Sequence, residues 1–346
     1  MYQSENLEVW NLTPGTIVAV GQQSIFNVLG RVTRPEQTRA LLYRLNGGPE
    51  RPAYFNPGPK RDGRLHCPGD FNIDTIDTDQ LGDENEIVLR LVDQAGGSEE
   101  HRIVFGARPF ADPQPRFRLD LRDVQYPEQV GQIIDGPWRI GRGETGERCL
   151  EITPEDAGYD RIMLFGSATW GSCYEITARL SVTQWSSVVH NVGLLFKWNP
   201  HLRGDGTHLP VQWSTGLAYY ASQTAGLRVR YGVDVHVDEQ GNKVGSYVLG
   251  EAPYSVLHQW AQRFRASRPP HNQGIIAQLA TGKHYWFKAV IHPDRHELTV
   301  WQDGKRQPAP QIALQRPTEW LTHGSVGVIL YNCGGRLYEY EVTPLG

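Results

Sequence analysis

Ionisable and apolar side chains alternate along residues 227–238, which read LRVRYGVDVHVD. One row is apolar, and the other row contains Arg228, Arg230, Asp234 and His236. A period of two is typical of a β-strand that buries one face. The polar row is therefore either the solvated face of an outer strand or one wall of a polar cleft.

In a cleft, this polar row has the residue types of an acid–base catalyst. Asp234 and His236 would form an oriented acid or base, and Arg230 would stabilise an anion. Tyr219 or Tyr231 would complete the proton transfer. Elimination from a uronic acid fits these residue types better than retaining glycoside hydrolysis, because the latter needs two carboxylates about 5.5 Å apart.

The same region is also suited to binding a ligand without chemistry. Aromatic rings pack on the C–H surfaces of sugars, whereas charged and amide groups bind their hydroxyls. Predicted strands at 188–198, 216–221 and 227–237 supply both classes. The candidate ligand-binding residues are Asn191, Lys197, Trp198, Tyr220, Arg228 and Tyr231. A place in the hydrophobic core is the alternative for each aromatic residue in this set.

The composition indicates that strands position these residues. The chain has 346 residues, enough for two domains of the usual size of about 100 to 200 residues. Its 37 Gly and 23 Pro fit many short strands joined by turns. A net charge of −4 argues against a nucleic-acid partner, which would require a basic surface.

The N-terminal third has six predicted strands, at 16–20, 25–32, 39–45, 72–76, 86–92 and 101–105, with Gly- and Pro-rich turns between them. Its NVLGRV, LNGGPE, GDFNID and VLRLVDQAGG segments resemble the bacterial immunoglobulin-like domains. The resemblance implies a β-sandwich over residues 1–106 that serves as a spacer or a docking wall. Three prolines within 107–118 indicate a stiff linker.

Residues 119–346 have eleven predicted strands, which implies two packed antiparallel sheets. The segments YEITARLSV, HYWFKAVIHPDRHELTVWQDGKRQ and GSVGVILYNCGGRLYEYEVTPL resemble the concanavalin A-like and laminin-G-like jelly rolls. The resemblance implies a ligand on the concave sheet, so the predicted function is carbohydrate binding there. The alternatives are a polysaccharide lyase or glycoside hydrolase, a small-molecule cyclase, and a structural or adhesive module.

A long insertion at 239–281 interrupts the jelly-roll pattern. Within it, Leu257, Trp260 and Phe264 recur at helical spacing, and Ser255 is placed to cap the helix. The predicted helix either forms a lid over a binding site or plugs one end of the sandwich.

Metal binding is weakly indicated. The acidic stretch 74–86 and the loop 199–208 contain oxygen ligands suited to Ca²⁺, although a solvated loop is the favoured interpretation of the first and a flexible connector that of the second. His292, Asp294 and His296 alternate like metal ligands, but the tight turn that Pro293 predicts explains this spacing.

The location of the protein depends on the start of the chain. We expect a cytoplasmic protein if Met1 is the native start, and a secreted one if a leader preceded it. No apolar run reaches the roughly 18 residues of a membrane span. The four cysteines lack the close spacing of a zinc site, and we expect them to be reduced and mostly buried.

Overall fold

The structure is a computed structural model, which describes residues 1–59, 64–110, 116–168, 170, 173–185, 190–202, 212–221, 226–233, 274–275, 278–315 and 324–345. Across these ranges the chain forms strands and two short 3-10 helices, Thr78–Gln80 and Pro127–Gln129, but no α-helix. The predicted all-β class is confirmed. The predicted insertion helix lies outside the described residues. Within the described residues, no helix is long and apolar enough to cross a bilayer.

Two sheets form the N-terminal sandwich. Its strands are β1 (Tyr2–Gln3), β2 (Leu7–Val9), β3 (Ile17–Val20), β4 (Ile25–Val32), β5 (Thr38–Leu45), β6 (Arg51–Ala53), β7 (Asp70–Asp77), β8 (Glu84–Asp93) and β9 (Ser98–Pro109). One sheet has the order β1-β2-β4-β7 and the other β3-β9-β8-β5-β6, with β3 parallel to β9. Each predicted strand of this region is present. Its membership of the immunoglobulin-like family stays a prediction.

Two larger sheets form the second sandwich. Its strands are β10 (Phe117–Arg118), β11 (Gln132–Asp135), β12 (Arg139–Arg142), β13 (Arg148–Ile152), β14 (Arg161–Phe165), β15 (Tyr174–Trp185), β16 (Asn191–Leu202), β17 (Gln212–Ala221), β18 (Gly226–Val233), β19 (Gly274–Ile275), β20 (His284–His292), β21 (Arg295–Gln302), β22 (Ile312–Gln315), β23 (Ser325–Tyr331) and β24 (Cys333–Pro344). The eight-stranded sheet has the order β12-β13-β24-β15-β20-β21-β22, with β10 also paired to β24. The seven-stranded sheet has the order β11-β14-β23-β16-β17-β18-β19.

The segment predicted as a linker, residues 107–118, forms regular strands at both of its ends. Strand β9 continues to Pro109, and Phe117 pairs with Val342 at the start of β10. Residues 111–115 lie outside the described part of the chain. Both ends of the 107–118 segment are therefore held by hydrogen-bonded strands.

The main core lies between the two larger sheets. On β15, Ile176, Ala178 and Leu180 are buried in this core, whereas Thr177 and Arg179 alternate with them on the outward face. This is the alternation expected of a strand with one buried face. The eight-stranded sheet therefore presents a row of polar residues away from the core.

A second apolar cluster lies on the opposite face of the seven-stranded sheet. This outer cluster contains Ile134, Ile162, Leu164, Leu195, Trp198 and Ile329. The N-terminal sandwich contacts it, because Trp198 Nε1 donates to Gln23 Oε1 at 3.1 Å and Asn72 Nδ2 donates to the Ile134 carbonyl at 2.9 Å. The two sandwiches therefore share a buried, partly polar interface.

Buried charges reinforce this interface. Arg64 Nε donates to Asp135 Oδ1 at 2.9 Å, and its Nη1 donates to Asp74 Oδ2 at the same distance. Burial raises the pKa of Asp135 to about 6, although Arg64 and Arg161 both favour the charged carboxylate. Asp135 therefore takes up a proton in the folded protein at a higher pH than in the unfolded chain.

This shift predicts how stability depends on pH. Between about pH 4 and 6 the native state holds more protons on Asp135 than the unfolded chain does, so the free energy of unfolding should fall as pH rises. Asp135→Asn should reduce that fall by on the order of 2 kcal/mol, because one pKa unit corresponds to about 1.4 kcal/mol. Urea unfolding from pH 4 to 7 measures the difference. The exposed Asp123→Asn variant is the control, and equal pH dependence in the wild-type and Asp135→Asn proteins would contradict the prediction.

Candidate functional site

The predicted site residues of β16 differ in their surroundings. Asn191 is half-buried and pairs with Ala221 on β17 and Tyr331 on β23. Its carbonyl oxygen accepts a hydrogen bond from Cys333 Sγ at 3.5 Å. Asn191 therefore lies at the beginning of a central strand of the seven-stranded sheet.

Lys197 is buried, although the alternation of the sequence predicts it on a polar row. The ladder shifts register after Phe196, and Lys197 has a φ of 52°, which interrupts the alternation. Its main-chain N–H donates to Tyr174 Oη at 3.1 Å, and only 3% of the residue is exposed. Burial lowers the pKa of Lys197 to about 8. A ligand-binding role for this amine would therefore require access to the interior.

Trp198 and Tyr220 are both fully buried, with an exposed fraction of 0%. Trp198 belongs to the outer cluster, where Gln23 binds its indole N–H. Tyr220 belongs to the main core and packs on Trp185, with ring centroids 5.9 Å apart. Both rings are therefore in the core, which was the alternative for each aromatic residue, and the structure shows that they lie on opposite faces of the seven-stranded sheet.

Tyr219 lies on the opposite face of β17 from Tyr220 and is 5% exposed. It pairs with Gly193 on β16, where an added Cβ would lie 2.5 Å from the Tyr219 Cβ. The close approach of β16 to the backbone of β17 at Tyr219 therefore requires a glycine at position 193. Its other register partner is Arg228 on β18.

The remaining predicted site residues are described only in part. The backbone of β18 places Arg230 opposite Leu217 and Tyr231 opposite Gly216, but the side chains of Arg228, Arg230 and Tyr231 lie outside the described residues. Asp234 and His236 follow the described end of β18 at Val233. The acid–base interpretation of this segment stays a prediction.

An aromatic pair lies on the outward face of the eight-stranded sheet. Trp286 on β20 is directly opposite Trp301 on β21, and both are half-buried. Their ring centroids are 6.2 Å apart and the ring planes differ by 18°. Trp286 Nε1 donates to Asp303 Oδ1 at 2.8 Å, which fixes the orientation of that ring. We call these two residues the tryptophan pair.

A charged cluster continues the tryptophan pair along the sheet. Arg179 on β15 is the register partner of Trp286, and its Nε donates to Glu339 Oε1 at 2.9 Å. Its Nη1 lies 2.8 Å from His284 Nδ1, and its Nη2 donates to Glu147. Arginine has no acceptor, so His284 Nδ1 must accept this hydrogen bond as the neutral imidazole.

Two further groups complete the cluster. Asp303 Oδ2 lies 3.6 Å from Arg179 Nη1, and the guanidinium carbon lies 5.0 Å from the centroid of the Tyr338 ring. His284 stacks on Tyr338 with ring centroids 4.4 Å apart. The Arg179 cluster is defined as Arg179, Glu147, Glu339, Asp303 and His284. Only 13% of the Arg179 side chain is exposed, so these partners hold it rigidly.

The sequence contained a signal for the tryptophan pair that residue types alone did not reveal. The predicted turn at Pro293 is confirmed, because β20 ends at His292 and β21 begins at Arg295. Trp286 and Trp301 are each six residues from those strand ends, so a regular hairpin places them opposite one another. The alternation of β20 also places Trp286 away from the buried Phe287.

Several of the predicted metal ligands have protein partners, and residues 203–208 of the predicted loop site lie outside the described residues. Asp74 binds Arg64 at 2.9 Å, and Glu86 binds Arg102 at 2.7 Å. His292 bonds to Asp294 beside the turn, whereas His296 is buried against Phe196. Within the described ranges, no three His, Cys, Asp or Glu side chains are arranged to hold a metal ion.

No protein-family model matches the sequence, and no curated protein matches it. Solved structures do show similarity in fold. The exoplasmic/lumenal domain of VIP36 in its Ca²⁺/Man2-bound form has a TM-score of 0.40 and 8% identity, covering 67% of this chain and 88% of that domain. A Bacillus subtilis protein of unknown function with a galectin-like fold has a TM-score of 0.37 and 11% identity, covering 66% and 94%.

A third similar structure is domain 4 of AbnA, a GH43 extracellular arabinanase from Geobacillus stearothermophilus, in complex with arabinotriose. It has a TM-score of 0.33 and 10% identity, covering 68% of this chain and 93% of that domain. All three similarities are similarities of fold alone.

The burial of Trp198 predicts a structural role for its side chain. Trp198→Ala should lower the free energy of unfolding by about 3 to 5 kcal/mol, because it leaves a cavity in the outer cluster and removes the donor to Gln23. Chemical denaturation measures this loss. Val290→Ala, on the outward face of β20, provides a control for a half-buried site. A fully stable Trp198→Ala protein with weakened ligand binding would instead support the direct binding role.

Proposed function

We propose that this protein binds carbohydrate on the outward face of the eight-stranded sheet. The observation that carries the proposal is the tryptophan pair, in which two half-buried, nearly parallel rings lie directly opposite one another on β20 and β21. Tryptophan presents a large apolar face at a small cost in conformational entropy, which suits it to the C–H surface of a sugar.

Polar groups suited to sugar hydroxyls lie next to this apolar surface. Asp303 holds the indole of Trp286, and Glu339 lies beyond Arg179 in the same row across the sheet. Carboxylates accept strong hydrogen bonds from hydroxyl donors. Because the ion pairs and the indole hydrogen bond already orient these groups, little ordering remains to be done when a ligand binds.

The described residues favour this face over the one predicted from the sequence. On the seven-stranded sheet, Trp198 and Tyr220 are buried, and the N-terminal sandwich contacts the outer cluster. Arg228 and Tyr231 remain candidate ligand-binding residues on β18, and Asn191 lies two strands away in the sheet order. The enzymatic alternative depends on Asp234 and His236 and remains a prediction from the sequence.

A panel of soluble polysaccharides tests carbohydrate binding. It contains mannan, arabinan, galactan, xylan and β-glucan; the first two are included because two of the similar structures contain Man2 and arabinotriose. A polysaccharide that binds only the native state should raise Tm, and calorimetry then gives its Kd. Each titration is run with Ca²⁺ and with EDTA, which also tests the calcium predicted from the sequence.

Substitution of the tryptophan pair tests the location of the site. Trp286→Ala and Trp301→Ala should each weaken the binding of a panel polysaccharide about tenfold or more, equivalent to about 1.4 kcal/mol. Both side chains are half-buried on an outward face, so Tm should change little compared with a core substitution. Calorimetry measures the affinity, and thermal unfolding measures the stability.

The control for both variants is Val290→Ala, which removes an outward side chain from the same strand without touching either ring. Binding that survives both tryptophan substitutions would reject this site. Binding lost on Arg228→Ala or Tyr231→Ala instead would return the site to the seven-stranded sheet. Absence of binding to every polysaccharide would reject the proposed function itself.

A further inference from the structure

The charges beside the tryptophan pair are unbalanced. The three carboxylates of the Arg179 cluster outnumber the cations that pair with them. These cations are Arg179 and Arg118, whose Nη2 lies 3.8 Å from Glu339 Oε2, so the group has a formal charge of −1 while His284 Nδ1 accepts its hydrogen bond. Burial disfavours the charged form of Glu147, but the hydrogen bond from Arg179 holds the pKa of Glu147 below its usual range. Glu147 is therefore ionised at neutral pH, and the cluster carries a net negative charge.

The arginine at the centre of the cluster cannot readily bind an acidic ligand. Its Nε binds Glu339, its Nη1 binds His284, and its Nη2 binds Glu147. Bidentate recognition of a ligand carboxylate needs two adjacent guanidinium donors. In Arg179 each guanidinium nitrogen already bonds to one of the protein's own groups, and only 13% of the side chain is exposed.

The nearest lysine on the same face is also engaged. Lys288 lies two residues beyond Trp286 on β20, and its Nζ is 2.7 Å from Glu175 Oε2. This pair is electrically neutral and contributes no attraction for an anion. Arg179 and Lys288, which lie on the strands next to or within the tryptophan pair, are therefore both paired with carboxylates.

We infer that the tryptophan pair accepts neutral, hydroxyl-rich glycans and discriminates against polyuronates, an inference that rests on the proposed function. Neutral sugars supply C–H surfaces for the rings and hydroxyl donors for the carboxylates of the Arg179 cluster. A uronic acid residue would instead bring its carboxylate close to a group of side chains with a net negative charge. Like charges within the Debye length of about 10 Å at 0.1 M salt repel one another.

Matched pairs of polymers test this selectivity, whichever neutral sugar the protein binds. Soluble mannan, galactan and β-glucan are each compared with the same polymer after its primary hydroxyls have been oxidised to carboxylates. The oxidised form should bind at least about tenfold more weakly at 20 mM salt, and added salt should narrow the difference because it screens the repulsion. The affinity of the neutral form should depend little on salt.

A charge-neutralising variant links the selectivity to the Arg179 cluster. Glu339→Gln combined with Asp303→Asn preserves oxygen acceptors for Arg179 and Trp286, and it removes two negative charges. The ratio of oxidised-form affinity to neutral-form affinity should rise at least about fivefold at 20 mM salt. The control combines Glu36→Gln with Asp79→Asn, which removes the same charge from exposed positions of the N-terminal sandwich and should leave the ratio unchanged.

The outcomes separate the inference from the proposed function. Binding of the neutral and oxidised forms with equal affinity, or tighter binding of the oxidised form, would overturn the inference and leave carbohydrate binding intact. An unchanged affinity ratio in the Glu339→Gln, Asp303→Asn protein would also overturn it. If neither form of any polymer binds, the proposed function fails and the inference fails with it.

Discussion

The pairing of β15 with β24 is the interaction on which the second sandwich depends. These strands lie far apart in the sequence, yet their ladder extends from Tyr174 opposite Pro344 to Trp185 opposite Cys333. Each such contact costs loop-closure entropy before it contributes stability, so the ladder is formed only when the intervening strands also pack. It joins the first and last long strands into one sheet, and it brings Glu339 beside Arg179.

Periodicity was sufficient to predict much of this architecture. The predicted strand 25–32 has the same bounds as β4 in the structure, and the turn at Pro293 separates β20 from β21 as expected. These segments have clear local patterns of apolar residues and end at turn residues, and both signals depend only on residues a few positions apart in the sequence. The short strands β1, β2, β6 and β10 lack such patterns, because partners elsewhere in the sheets determine them.

The surroundings of the candidate residues were harder to predict. Alternation along the sequence assigns the side chains of a strand to two opposite faces. When the side chains on both faces are apolar, alternation does not predict which face packs against the main core. Trp198 is buried because Gln23 and the outer cluster cover it, and Gln23 is remote in sequence. Lys197 departs from the alternation because the ladder shifts register beside it. Both facts depend on tertiary contacts that a local pattern does not encode.

The outer cluster also bears on how the chain is made. Ribosomes release the N-terminal sandwich first, and domains generally fold as units during synthesis. When the strands carrying Leu195, Trp198 and Ile329 emerge, the surface containing Gln23 is already available to receive them. The order of the two sandwiches along the chain thus shortens the time for which the apolar outer face of the seven-stranded sheet would be exposed during synthesis.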